Sequence, residues 1–300
     1  MKLAPAKINL HLQIGEKRSD GFHDIKSLFQ MISLYDEIVI RSLTENTGIS
    51  ISGELCIPVM KNAEWRKLLE SPENTIRLAA ESFCRNYGVS RGFDITIRKN
   101  IPLGAGLGGG SSDAAAVFEL LNDLTGVHAP QEELAALGAE IGSDVPFFFS
   151  CAAGIVTGRG DNIEAIESRD DFHLCIVYPK FSISTAEAYR WFDQKFPVRK
   201  NNLHEIALSK MFKIEKPELW RFDNSFRTVL EEKFPIIKEL IQSMYQFGAQ
   251  YANISGSGSA VFGVFDDISI LYKGYLRLRR RFDTIWIIQP LDRRTSVVLE

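Results

Sequence analysis

What the chain does not have narrows its function first. Its four cysteines, Cys56, Cys84, Cys151 and Cys175, stand far apart and form no Cys-x-x-Cys pair, which excludes a zinc ribbon and a dense disulfide framework and fits a reducing cytoplasm. Neither charge sign dominates: 35 lysines and arginines against 38 aspartates and glutamates leave a formal net charge of -3. No global field would gather nucleic acid or an anionic membrane, so neither is expected as a partner, and any polyanion must be held locally. No stretch reaches the roughly 18 apolar residues of a membrane span. Pro5, Lys7, Asn9 and His11 interrupt the segment where a signal peptide needs an unbroken apolar run. A soluble, cytoplasmic chain is the expectation. There is no internal repeat, and no Gly-Lys-Ser/Thr, which rules out a Walker phosphate loop.

With 300 residues, 45% hydrophobic and 24% charged, the chain is of ordinary globular make and long enough for two domains. Ile8, Leu10, Leu12 and Ile14 alternate with Lys7, Asn9 and His11, the period of a strand with one buried face. A turn at Ser19-Asp-Gly21 leads to a run ending in Ile38-Val-Ile40, and Thr44 to Gly53 reads as polar and exposed. Asn74 to Tyr87 reads as a helix and Phe93 to Arg98 as a strand. A helix follows the glycine-rich stretch and stops at Gly126, and a second covers Glu132 to Ile141. Gly142-Ser-Asp144-Val-Pro146 signals another helix start, and Gly154 to Gly158 a strand and turn. The charged stretch Glu164 to Asp171 divides the chain into residues 1–165 and 166–300. Beyond it come a strand (Phe172 to Tyr178), helical periodicity from Phe226 to Met244 reopened at Pro235, then strand (Ala260 to Phe265), helix (Ile268 to Phe282) and strand (Thr284 to Leu291). The fold class is α+β in two domains, with a glycine-rich loop in each: Gly104 to Gly110 and Gly256-Ser-Gly258.

Five glycines crowd into Pro102-Leu-Gly-Ala-Gly-Leu-Gly-Gly-Gly-Ser-Ser112, directly before a helix. Each costs roughly 0.5–1 kcal/mol relative to alanine in a regular element, so the backbone must come close to something there. A helix N-terminus presents free N–H groups and the positive end of the dipole, and glycines let it wrap a phosphate chain. Ser111 and Ser112 add hydroxyl donors or Mg2+ contacts. Two other readings stand beside this one. Gly104-x-Gly106-x-x-Gly109 fits the dinucleotide fingerprint, but the acidic strand end it wants about 20 residues on is replaced by Gln131-Glu-Glu133 opening a helix. A purely structural turn is the other.

Taken with Pro5-Ala-Lys-Ile-Asn-Leu10, Asp20-Gly-Phe-His23, Gly142-Ser-Asp-Val-Pro-Phe147 and Ile254-Ser-Gly-Ser-Gly-Ser259, the loop resembles those of the GHMP kinases, the superfamily of galactokinase and of homoserine, mevalonate and phosphomevalonate kinases. The order of motifs is most similar to the branch that phosphorylates a cytidyl-methylerythritol in non-mevalonate isoprenoid synthesis. The resemblance implies two α+β domains with an active-site cleft between them, and ATP as co-substrate with Mg2+. It implies transfer of the γ-phosphoryl to a tertiary 2-hydroxyl of a small-molecule acceptor. By motif position, Lys7 and Asp144 would be catalytic. Pro102, Leu103, Gly104, Ala105, Gly106, Leu107, Gly108, Gly109, Gly110, Ser111 and Ser112 would hold ATP, with Asn74 near the nucleotide. Asn9, Phe22, His23 and Tyr189 would bind the acceptor, Phe22 and Tyr189 sandwiching the cytosine and His23 hydrogen-bonding it. The family usually has tyrosine where Phe22 stands. Another GHMP kinase, such as a homoserine kinase, would share the loop without the aromatic cradle, and a non-catalytic nucleotide-binding protein could dispense with Lys7 and Asp144.

Each of these residues also has a plainer reading. A lone strand lysine is usually solvated, Ser143-Asp144 before Val-Pro is a helix cap, and a histidine after Asp-Gly is a turn residue. Arg277-x-Arg-Arg-Arg281 reads as an exposed, dipole-complementing helix end rather than a phosphate or nucleic-acid patch. Val145-Pro-Phe-Phe-Phe149 reads as the buried start of a helix, with a substrate wall as the alternative.

Overall fold

The structure, a computed structural model, describes residues 1–43, 48–57, 61–197 and 207–292, so residues 44–47 of the stretch expected to be polar and exposed lie outside the described residues. In chain order the strands are β1 (Lys2–Lys17), β2 (His23–Leu43), β3 (Ile49–Leu55), β4 (Gly92–Lys99), β5 (Ala153–Gly158), β6 (Asn162–Ile166), β7 (His173–Val177), β8 (Tyr251–Ile254), β9 (Val261–Phe265) and β10 (Ile285–Ile288). The helices are α1 (Asn62–Glu70), α2 (Thr75–Tyr87), α3 (Gly109–Thr125), α4 (Gln131–Ile141), α5 (Val145–Ser150), α6 (Thr185–Lys195), α7 (Leu208–Ile214), α8 (Arg227–Lys233), α9 (Pro235–Gln246) and α10 (Ile268–Leu278).

Two sheets organise these elements. The first has the order β3-β4-β2-β5-β6, with β1 paired along β2 from Lys2 opposite Ile38 to Lys17 opposite His23. The long β2 serves two neighbours, β5 over Ile25 to Gln30 and β4 over Glu37 to Leu43. The second sheet is antiparallel, in the order β10-β7-β9-β8. Helices α2, α3 and α5 cover the first sheet through fully buried Phe83, Phe118 and Phe147, and α9 and α10 cover the second through Ile237, Leu240 and Leu271. Helix ends follow their sequence signals: Asn74 Oδ1 accepts from Ile76 N and Arg77 N, Gly88 and Gly126 close α2 and α3 in the left-handed conformation, and Pro235 opens α9.

Three expectations are corrected. Strand β1 does not have one buried face; Lys7, Asn9 and His11 are buried like Ile8 and Leu10 between them, because the second half of the chain lies against that side. Leu12 N donates to Asp223 O at 2.8 Å, Tyr251 Oη to Leu10 O at 2.9 Å and Asn9 N to Ser255 Oγ at 3.2 Å. Ile49 to Gly53, within the stretch expected to be polar and exposed, belong to β3, which runs parallel to β4. Its Ile49, Ile51 and Leu55 pack inward while Ser50, Ser52 and Glu54 point out, a period of two masked by the hydrophilic half. Helix α10 stops at Leu278, so Arg279, Arg280 and Arg281 occupy the exposed turn after it, and Arg281 pairs with Glu239 at 2.8 Å. Val145 to Phe149 is a buried helix, as its composition requires.

Candidate active site

Strand β1 delivers Lys7 and Asn9 to the floor of a cleft of about 930 Å3. Lys7 N donates to Leu107 O at 2.9 Å, which ties the strand to the glycine loop. Its ammonium, on a side chain only 4% exposed, donates to Asn9 Oδ1 at 2.6 Å, lies 3.2 Å from Asp144 Oδ2 and stands 4.3 Å from the centre of the Phe29 ring. Asn9 Nδ2 donates to Ser27 Oγ at 3.0 Å, so the amide is held with its oxygen toward the lysine. Asp144 occupies the position before α5, yet its carboxylate makes no cap bond there. The cap reading therefore fails for the side chain, which turns into the cleft and faces Lys7 instead.

The glycine loop closes one end of the cleft. Gly104, Gly106 and Gly108 have φ of 60°, 78° and 70°, a conformation side chains with a Cβ avoid. At Gly106 the space is also taken, since a Cβ would lie 2.0 Å from Ser255 O. Glycine there is demanded by the second glycine loop as much as by any ligand. Ser255 Oγ donates to Gly106 O at 2.7 Å and Ala260 N to Ala105 O at 3.1 Å, so the two loops brace each other. Gly110 differs, with only Thr75 near it at 3.4 Å and the cleft beyond. Gly108 caps α3 without a side-chain bond, which leaves the first N–H groups of the helix to a ligand. Ser111 lines the cleft, and Ser112 Oγ is buried beneath it without a partner among the described residues.

Under this loop lies a charge cluster that sequence reasoning missed. Lys99 Nζ donates to Asp36 Oδ2 and to Asp113 Oδ2, both at 2.5 Å, and all three side chains are buried. Asp36 Oδ1 accepts from Asn100 N at 2.6 Å and Ile101 N at 2.8 Å, at the entry to the loop. Burial pushes the Asp113 carboxyl well above the usual carboxylate range, against the pull of Lys99. Burial would lower the Lys99 ammonium, but Asp113 and Asp36 raise it. A signal existed: Phe93, Ile95, Ile97 and Lys99 share the inward period of β4.

At the other end stand side chains. Phe22 is 52% exposed, with the Arg159 guanidinium 5.2 Å from its ring centre. His23 stacks on Tyr189 at 5.0 Å and 13°, and Tyr189 meets Phe226 edge-on at 5.0 Å. Burial pushes the Tyr189 hydroxyl up to about 12, with Asp144 and Asp193 adding to it. Asp193, also missed, accepts from His23 Nε2 at 2.8 Å and Lys17 Nζ at 2.9 Å. It lies one turn after Tyr189 on α6, and that i, i+4 relation was its only sequence signal.

The cleft thus gathers Lys7, Asn9, Phe22, His23, Asp144, Tyr189 and all residues from Pro102 to Ser111. Asn74 does not line it; its side chain is spent capping α2 and bonding Leu68 O at 3.1 Å, and its neighbour Thr75 faces the cleft instead.

Comparison with known proteins shows the family. Residues 74–152 match the family model for the GHMP kinases N terminal domain and residues 207–283 that for the GHMP kinases C terminal. The chain is 36% identical over 262 residues to the 4-diphosphocytidyl-2-C-methyl-D-erythritol kinase of Chlorobium limicola, covering 87% of this chain and 86% of that protein. It is 38% identical over 266 residues to the enzyme of the same name from Syntrophotalea carbinolica, covering 88% and 89%. A crystal structure of 4-(cytidine 5'-diphospho)-2C-methyl-D-erythritol kinase matches with a TM-score of 0.76 and 28% identity, over 97% of this chain and 99% of that one. A homoserine kinase from Cytophaga hutchinsonii matches with a TM-score of 0.74 at 16% identity, over 98% and 95%, a likeness of fold alone.

Proposed function

The chain belongs to the 4-diphosphocytidyl-2-C-methyl-D-erythritol kinases of the GHMP superfamily and transfers a phosphoryl group from ATP to that alcohol; from this premise we propose that Lys7 and Asp144 carry the chemistry, with the nucleotide on the glycine loop and the cytidyl group beside Phe22, His23 and Tyr189. The observation that carries the assignment is the buried Lys7 ammonium 3.2 Å from the Asp144 carboxylate, next to the open head of α3.

Phosphoryl transfer passes through a loose transition state with charge on the equatorial oxygens, so placement and positive charge matter more than a strong base. The N–H groups at the head of α3 and the residues from Pro102 to Ser112 hold the triphosphate. Asn9 aims the Lys7 ammonium at the oxygens that gain charge, and it faces the acceptor from the same strand. Asp144 takes the proton of the 2-hydroxyl as the bond to phosphorus forms. A strong base is not needed there, because the proton leaves late in a loose transition state. Asn74 contributes by capping α2 and so placing Thr75 on the wall of the cleft.

Among the described residues no three His, Cys, Asp or Glu side chains gather into a metal site. The oxygen donors present suit a Mg2+ that arrives chelated by phosphates and needs few protein ligands. Ser111 and the buried Ser112 hydroxyl would hold it. Bound there, the ion would neutralise charge on the transferring group.

On the same reading residues 1–165 and 166–300 are the N- and C-terminal domains, and the enzyme works in the cytoplasm. No helix among the described residues is long and apolar enough to cross a membrane, and all four cysteines are unpaired. Side-by-side assays with ATP and Mg2+ on the cytidyl alcohol, homoserine and mevalonate test the function. Turnover of the first alone is expected; preference for either of the others would overturn the acceptor assignment.

A further inference from the structure

The segment that carries Phe22 has few ties to the rest of the molecule. Residues 16–22 are exposed, and the polar bonds within the turn are local: Arg18 N to Phe22 O at 2.7 Å, Arg18 Nε to Asp20 at 3.2 Å and Arg18 Nη1 to Asp24 at 2.9 Å. Such a segment should drift, because nothing buried fixes it. At its two ends, however, Lys17 and His23 face each other as the last cross-strand pair of β1 and β2. Both donate to one carboxylate, that of Asp193, at 2.9 and 2.8 Å.

Asp193 belongs to α6, as does Tyr189. The carboxylate therefore ties the turn bearing one aromatic wall of the cleft to the helix bearing the other. The two legs are unequal. Lys17 is 57% exposed and its pair is screened by solvent, whereas the His23 side chain is 5% exposed. A charge-assisted bond sheltered in this way is the stronger of the two. It also sets the ring: an ionised carboxylate only accepts, so Nε2 carries a hydrogen toward Asp193. With the imidazole fixed at that edge and stacked on Tyr189, His23 cannot turn without breaking both contacts.

We propose that Asp193 is a positioning residue that sets the separation of Phe22 and Tyr189 and the orientation of His23, and so governs affinity for the acceptor without touching the reacting atoms. This rests on the reading that the aromatic end of the cleft takes the cytidyl group. The readout is a split between Michaelis constants. Asp193→Ala, which removes both legs, should raise the KM for the cytidyl alcohol about tenfold, the worth of one charge-assisted hydrogen bond. The KM for ATP should stay within about twofold on the same scale, with a thermal midpoint close to that of the unaltered enzyme. Asp193→Asn keeps one accepting oxygen for His23 and should show a smaller rise, about threefold. An unchanged acceptor KM in Asp193→Ala, with a raised one in Phe22→Ala, would overturn the proposal and leave the acceptor site standing. Equal rises for both substrates would mean general loosening and would also overturn it. If neither variant moves the acceptor KM, the placement of the cytidyl group is itself wrong.

Discussion

The two ends of the cleft are built by opposite means. The glycine-loop end, where we propose the nucleotide binds, is made of backbone: glycines at φ of 60°, 78° and 70°, braced by a second glycine loop and underlain by Lys99 between two buried carboxylates. The aromatic end, proposed for the acceptor, is made of side chains from three separate segments, with Phe22 half in solvent and Asp193 joining turn to helix. Backbone donors recognise any triphosphate and tolerate no change of shape. Side chains can be exchanged one at a time to suit another alcohol. That contrast fits one fold serving kinases as distant as the 16%-identical homoserine kinase.

The largest effect is expected where the ends meet. Asp144→Asn keeps the shape and removes the charge and the proton acceptor, so turnover should fall by about 10^2 to 10^4-fold, the range for positioned acid–base groups. The KM for ATP should change little, because the carboxylate makes no bond to the loop. Normal kinetics in this variant would take Asp144 out of the mechanism.

Next in size is a blow to the glycine-loop end. Lys99→Met leaves Asp36 and Asp113 buried without their cation, a loss of about 3–5 kcal/mol in stability. The pH dependence carries a sign. Asp113 holds its proton more tightly folded than unfolded, so above the ordinary carboxylate pKa the native state binds more protons than the unfolded chain, and stability rises as pH falls. Without Lys99 to pull the other way the effect should grow. Urea unfolding of the variant at pH 7.5 and about pH 5.5 should show it recovering at the lower pH; a flat profile would mean that the cluster is not the source of the loss.

These two ends also differ in how far they could be read from sequence. Glycine spacing announced the loop because a left-handed backbone and a 2.0 Å approach at Gly106 leave no other residue. Asn74 announced a helix start, and the structure shows that this is what its side chain does. Lys7 and Asn9 were legible as neighbours on one strand face, but not as buried, because burial came from residues such as Ser255, which lies 246 positions away from Asn9. Lys99 was hidden for the opposite reason: its charge argued for solvent while its period in β4 argued for the core, and only Asp36 and Asp113, from other elements, reconcile the two. Asp193 meets His23 across 170 residues, which no local pattern encodes.

The smallest effects are expected at the aromatic end, where one position separates stacking from hydrogen bonding. Phe22→Ala removes the ring and should raise the KM for the cytidyl alcohol about tenfold, since stacking on a base is worth about 1–3 kcal/mol. The ATP value should hold. Phe22→Tyr adds a hydroxyl to the ring. The ring is 52% exposed and Arg159 already lies over it, so the added group would point into water, where a hydrogen bond gained replaces one of equal worth to solvent. The change should be within about twofold for either substrate, a difference of roughly 0.4 kcal/mol. A gain of tenfold or more would mean that the hydroxyl finds a partner in the complex.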